Sequence, residues 1–107
     1  MRKKRSDRNH LLYELYCVPA KQSYIGITVM KGVAKKRTLM QRWKAHQYKA
    51  YALGEDWALS KAIRKYGIDS FDVRILETIR GKAEAYAYEA QLINDLKPKL
   101  NTRKKTK

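Results

Sequence analysis

At 107 residues, with 25 Lys and Arg against 10 Asp and Glu and a formal net charge of +15, the chain has room for one domain and one modest core. Hydrophobic residues make up 44%, which argues against wholesale disorder, and no apolar run approaches the roughly 18–20 residues of a bilayer span. The single cysteine, Cys17, excludes an internal disulfide and a cysteine-based zinc site, and the basic start is followed by no signal-peptide core, so a cytoplasmic protein with no membrane role is expected.

In chain order, Leu11 to Val18 reads as a strand, with Tyr13, Leu15 and Cys17 on one side and Leu12, Glu14, Tyr16 and Val18 on the other. Pro19 to Gln22 is a turn, because proline cannot continue a ladder, and Ser23 to Val29 is a β-branched second strand. The two make a hairpin. A basic connection, Lys31 to Arg37, leads to Thr38, read as the N-cap of a helix running to about Tyr51 with Leu39, Trp43 and Ala50 on its buried stripe. Glu55 and Asp56 open a second helix with Leu59, Ala62, Ile63 and Tyr66 inward, and Gly67 stops it. Phe71 to Ile79 is a third strand, and Lys82 to about Lys97 a last helix ended by Pro98. The expected fold is α/β (α+β): a small three-stranded antiparallel sheet flanked by helices, in the order β-β-α-α-β-α. Residues 11–101 form the folded domain, between a basic N-terminal tail (1–10) and a basic C-terminal tail (102–107).

The charge is unevenly placed. Residues 1–8 carry five bases and one acid, and residues 97–107 carry six bases and no acid, so the two ends supply +10. Leu15 to Gly54 holds no acid and eight bases, whereas residues 55–96 hold six bases and eight acids. Basic tails and an acid-free first half point to a polyanion on one side of the molecule, with nucleic acid the first candidate and a solubilising surface the plain alternative.

Some polar residues sit where apolar ones belong. At 100° per residue, Ala85, Tyr86, Leu92, Ile93 and Leu96 trace one arc of the last helix, and Glu89 falls in its middle. A carboxylate so placed either pairs with a buried base or binds a metal ion. Arg42 and His46, one turn apart, flank the Leu39/Trp43 stripe; ordinary boundary residues would do the same. Tyr13 and Tyr24 share one sheet face if the hairpin pairs with an odd residue sum, and Gly26 beside Tyr24 leaves room for a close approach. Strand tyrosines in such positions also serve as plain packing.

Taken together these residues resemble the GIY-YIG nuclease superfamily. Leu11-Leu12-Tyr13, ten residues, then Tyr24-Ile25-Gly26 is similar to its two-part signature. Gln41-Arg42-Trp43-Lys44-Ala45-His46 resembles its Arg-Trp-x-x-His helix. Ala62 to Gly67, Phe71 and Ile75-Leu76-Glu77 resemble the middle block, and Glu89 to Ile93 with Pro98 and Leu100-Asn101 the closing elements. Leu11-Leu12 stands where the family has Gly-Ile. A competing alignment through Tyr16 leaves only seven residues before Tyr24, so Tyr13 is preferred.

The resemblance implies a metal-dependent DNA endonuclease, a small stand-alone enzyme of the homing or phage type. Its site would be Tyr13, Tyr24, Arg42, His46, Glu89 and Asn101, with one divalent cation, Mg²⁺ or Mn²⁺, on Glu89. Arg42 would meet charge developing on the phosphate. Tyr13 would be general base or water-positioner with Tyr24 assisting, and a base role requires its pKa to be lowered by nearby cations. His46 would share proton transfer or touch phosphate, and Asn101 would hold the site or the DNA backbone. Double-stranded DNA would lie along Lys31, Lys35, Lys36, Arg37, Lys44, Lys49, Arg103, Lys104 and Lys105, with the protein a monomer or a DNA-induced dimer. The basic segment 31–37 is either a DNA-contacting loop or a tolerated insertion. The main rival is a non-catalytic nucleic-acid-binding protein on the same scaffold; an RNA-binding module with stacking aromatics on an exposed sheet ranks third.

Overall fold

Strand β1, Asn9–Cys17, buries side chains on both of its faces, as suits the central position of a three-stranded sheet, where both edges are paired. The computed structural model describes residues 8–30, 34–54 and 57–101. In it β1 lies between β2 (Gln22–Val29) and β3 (Phe71–Arg80), in the order β2-β1-β3, with both pairings antiparallel. Leu11, Leu12, Tyr13, Leu15 and Cys17 are all fully buried. The two leucines standing in place of Gly-Ile therefore fill opposite faces of a central strand. The element order β-β-α-α-β-α agrees with the expected architecture.

The hairpin register pairs Tyr13 with Gly26 and Leu15 with Tyr24, the odd residue sum that sets both tyrosines on one face. That face is covered by α1 (Lys35–Tyr51) and α2 (Ala58–Tyr66). Leu39, Trp43 and Ala50 of α1 and Leu59, Ala62 and Ile63 of α2 join Leu11, Tyr13, Leu15 and Cys17 in the main core. The ring of Trp43 packs on Phe71 at 5.3 Å. The helices are tied by Tyr51 Oη, donating to the Ile63 carbonyl at 3.1 Å, and by Arg64 Nη1, donating to that of Ala50 at 2.9 Å.

The other face carries the even-numbered side chains of β1. Helix α3 (Lys82–Leu96) packs against all three strands there; Ala85 is buried, and Tyr86 meets the His10 ring edge-on at 6.1 Å. Tyr16 lies on this face beneath Arg74, 5.8 Å from its ring, which removes it from any site shared with Tyr24.

Three expectations are corrected. Thr38 is not an N-cap: α1 begins at Lys35, its N-cap position is Ala34, and Thr38 Oγ1 instead donates to the Ala34 carbonyl at 3.0 Å inside the helix. A Thr hydroxyl can bond back one turn as readily as it can cap. The basic stretch 31–37 is accordingly not all connection, since Lys35, Lys36 and Arg37 form the first turn of α1. On α3 the inward arc is narrower than expected: Tyr86 is 46% and Leu96 60% exposed. Glu55 and Asp56, read as the opening of α2, lie outside the described residues.

Candidate active site

The site begins with a missing side chain. A Cβ at Gly26 would collide with the ring carbon and hydroxyl of Tyr13, and would stand 2.8 Å from the Tyr24 ring. Only glycine lets the Tyr13 ring lie across β2. On β3 the register skips one residue between the partners of Leu12 and Tyr13 (Glu77, then Ile75). Such a bulge increases local twist and re-aims a side chain. Tyr13 and Tyr24 stand with ring centroids 6.2 Å apart.

Helix α1 buries Leu39, Trp43, His46 and Ala50, a spacing of four, three and four residues that traces one stripe. Packing that stripe onto the sheet delivers His46 to the tyrosines: its ring centroid is 5.1 Å from Tyr24 and 6.1 Å from Tyr13. His46 Nε2 lies 2.8 Å from the Tyr13 hydroxyl. From one turn earlier, Arg42 Nε donates to the same oxygen at 3.3 Å. Tyr13, Tyr24, Arg42 and His46 thus form one connected group.

Burial pushes the Tyr13 hydroxyl well above the ordinary tyrosine value; the Tyr24 hydroxyl adds to the rise, and Arg42 opposes it without overcoming it. The lowered pKa that a tyrosinate base requires is therefore not found: desolvation outweighs the single cation. His46 is pushed down to about 3, first by burial, then by the charges of Arg42 and Lys49. It is a neutral imidazole at physiological pH, and with its proton on Nδ1 it accepts at Nε2 from Tyr13.

Asn101 ends a short 3-10 turn, Lys99–Asn101, in which Leu100 plugs the main core. Its Oδ1 accepts from the Ile25 amide and its Nδ2 donates to the Ile25 carbonyl, both at 2.8 Å. With both amide groups committed to the peptide between Tyr24 and Gly26, Asn101 holds the site's framework.

Glu89 comes from α3, on the opposite face. It is half-buried, as are Leu92 and Ile93 beside it, and burial raises its carboxyl pKa. No hydrogen bond or ion pair joins it to another described residue, so the buried-pair reading has no partner among them. No group of three or more His, Cys, Asp or Glu gathers among the described residues. A half-buried carboxylate without a counter-charge among the described residues suits a hard cation that takes most of its ligands from water and phosphate.

Of the expected DNA contacts, Lys35, Lys36, Arg37 and Lys44 are exposed along α1. Lys49 instead lies over the Trp57 ring at 5.8 Å. Lys31, Arg103, Lys104 and Lys105 lie outside the described residues. Sequence reasoning missed a cleft of about 710 Å³ between β2 and α1, bordered by Thr28, Arg37, Thr38, Gln41 and Arg42. A wheel of α1 shows Thr38/Arg42 and Arg37/Gln41 as neighbouring polar ridges, but the gap between them and β2 exists only in the packed fold. No described helix is long and apolar enough to cross a membrane.

One protein-family model, the GIY-YIG catalytic domain, matches residues 9–104. No curated protein and no solved structure matches the chain.

Proposed function

The chain belongs to the GIY-YIG catalytic domain family, a family of nucleases acting on nucleic acid, and from that premise we propose that it is a divalent-metal-dependent endonuclease of double-stranded DNA. The observation that carries this reading is the Tyr13 hydroxyl held between Arg42 Nε at 3.3 Å and His46 Nε2 at 2.8 Å. A buried packing tyrosine needs one hydrogen-bond partner for its hydroxyl; here a guanidinium and an imidazole converge on the same oxygen. A tyrosine that relays a proton needs a cation to support negative charge on its oxygen and an acceptor for its hydrogen.

Phosphodiester hydrolysis requires an attacking water, relief of charge on the phosphate and help for the leaving oxygen. Arg42 spends one N–H on Tyr13, leaving the rest of its fork for the phosphate oxygens. Tyr13 stays protonated near neutral pH and works as a relay: its oxygen receives the water's proton as its own passes to His46 Nε2. The phosphodiester's negative charge offsets the part of the downward push on His46 that comes from Arg42, while the larger part, from burial, stays in place, so the imidazole takes the proton only in passing. Tyr24 borders the same oxygen and orients the water. His46 acts through Tyr13, whose hydroxyl it meets at 2.8 Å. Glu89 is the residue that would hold Mg²⁺ or Mn²⁺, which when bound supplies Lewis-acid stabilisation of the phosphate and the departing alkoxide.

The test is cleavage of supercoiled plasmid with Mg²⁺, with Mn²⁺ and with chelator. Wild type cuts only with metal; Glu89→Ala does not cut, and single-turnover rates for Tyr13→Phe fall by about 10²–10⁴-fold. Undiminished DNA binding with no metal-dependent cutting by the wild type would favour a binding protein on the nuclease scaffold.

A further inference from the structure

The cleft between β2 and the first half of α1 opens beside Arg42 and has no part in the proton relay. Two ridges of α1 border it, Arg37–Gln41 and Thr38–Arg42, with Thr28 and Val29 of β2 opposite. Its volume of about 710 Å³ falls in the range, roughly 300–1,000 Å³, that takes a ligand of nucleotide size. Its chemistry is one-sided: two guanidinium groups, two hydroxyls and an amide, with no carboxylate among the lining residues. Gln41 and Arg37 are exposed, and neither is joined to a described residue by a hydrogen bond or ion pair. Thr38 Oγ1 donates within its helix, so toward the cleft it can only accept. Arg37 and Arg42 stand five residues apart on α1, about 7.5 Å of axial rise, and both border this one cleft.

We propose that this cleft is the subsite for the nucleotide next to the scissile bond, with Arg37 holding its phosphate and Gln41 facing its base edge. The proposal rests on Arg42 meeting the scissile phosphate, which sets the register of the strand. Arg37 supplies a planar fork suited to a phosphodiester. Gln41 offers both donor and acceptor, the pair that can distinguish one base edge from another. The apolar floor of Val29, Ala34 and Ala45 leaves space for the sugar.

The experiment uses a short duplex cut by the wild type at a mapped bond, made with a single neutral methylphosphonate at the first phosphate on either side of that bond. One of the two substitutions is expected to weaken wild-type binding about tenfold. Arg37→Ala should bind the unmodified duplex about tenfold more weakly, with a salt slope lower by about 1, and lose nothing further from that methylphosphonate. Lys82→Ala, the same charge change on α3, should leave the methylphosphonate effect intact. Gln41→Ala should cut a randomised duplex library with a flattened base preference at the neighbouring position. Losses from Arg37→Ala and the methylphosphonate that simply multiply would overturn the subsite while leaving the nuclease reading untouched. So would an Arg37→Ala protein that binds like wild type, or an unchanged base preference in Gln41→Ala. A wild type that cuts no DNA with any divalent metal would overturn both.

Discussion

His46 shows how a single buried residue links the site to stability. Its pKa falls from an ordinary 6.5 to about 3 in the folded protein, so between those values the unfolded chain binds the proton more readily. The contribution is fully present above pH 6.5 and is lost as pH falls toward 3. The slope is at most about 1.4 kcal/mol per pH unit. Urea unfolding at pH 4, 5, 6 and 7 should show wild-type stability falling faster with acid than that of His46→Gln, which cannot titrate. Activity has the same logic: protonated His46 cannot accept from Tyr13. The Tyr13 side chain has a second dependence, on Gly26, because its ring occupies the space where any other residue would place a Cβ.

Among the elements, α1 does two jobs, one in its middle and one at its start. Its middle carries Arg42, Trp43 and His46; its first turn carries three bases and has no side-chain cap. Because Thr38 is one turn inside the helix, Thr38→Ala should change stability by less than about 0.5 kcal/mol, whereas a true N-cap loses about 1 kcal/mol. Ala34→Ser supplies the missing acceptor and should gain about 0.5–1 kcal/mol; chemical denaturation of both variants checks the pair. The reason Thr38 misled is local: threonine followed by an amphipathic run is a helix-start pattern, and it does not reveal that Lys35, Lys36 and Arg37 continue the helix backwards. The strands were more legible. Alternation in Leu11 to Val18 identified the faces of β1, and the odd-sum hairpin brought Tyr13 and Tyr24 together. The width of the buried arc on α3 was not legible, because Tyr86 and Leu96 are apolar enough to face inward and only the packed sheet shows that they do not. Nor was the pKa of Tyr13, which depends on how much protein covers the ring.

At the scale of the whole molecule, the basic side chains of α1 and the half-buried Glu89 of α3 belong to opposite faces of one three-stranded sheet. Charge there is unbalanced in both senses: α1 lacks acids, and Glu89 lacks a base among the described residues. Burial of an unpaired carboxylate costs stability at neutral pH, and a bound cation offsets it. Mg²⁺ at ten times its dissociation constant should stabilise the wild type by about 1.4 kcal/mol. The effect should shrink as pH falls through the raised Glu89 pKa, where the proton displaces the metal. Thermal melts with and without Mg²⁺ at pH 8 and pH 5 test this, and Glu89→Gln should show no response to the ion. Asn101→Ala should act at the β2 edge, costing about 1–3 kcal/mol by leaving the Ile25 peptide unpaired, with a parallel drop in cleavage rate at fixed metal.

The Asn101 clip joins residues 76 apart in sequence, and a chain is synthesised from its N-terminus. Tyr13, Tyr24, Arg42, His46 and even Glu89 are all made before the residue that closes the β2 edge. Until the ribosome has released Asn101, the Ile25 peptide has its outward N–H and C=O free, and the framework around the tyrosines is open. A fragment ending in α3 beyond Glu89 would contain every side chain of the proposed chemistry and still lack the closed edge. Closure of the β2 edge thus waits on Asn101, the last made of the residues that build the proposed site, so a chain stopped between Glu89 and Asn101 carries the proposed chemistry in an unfinished frame.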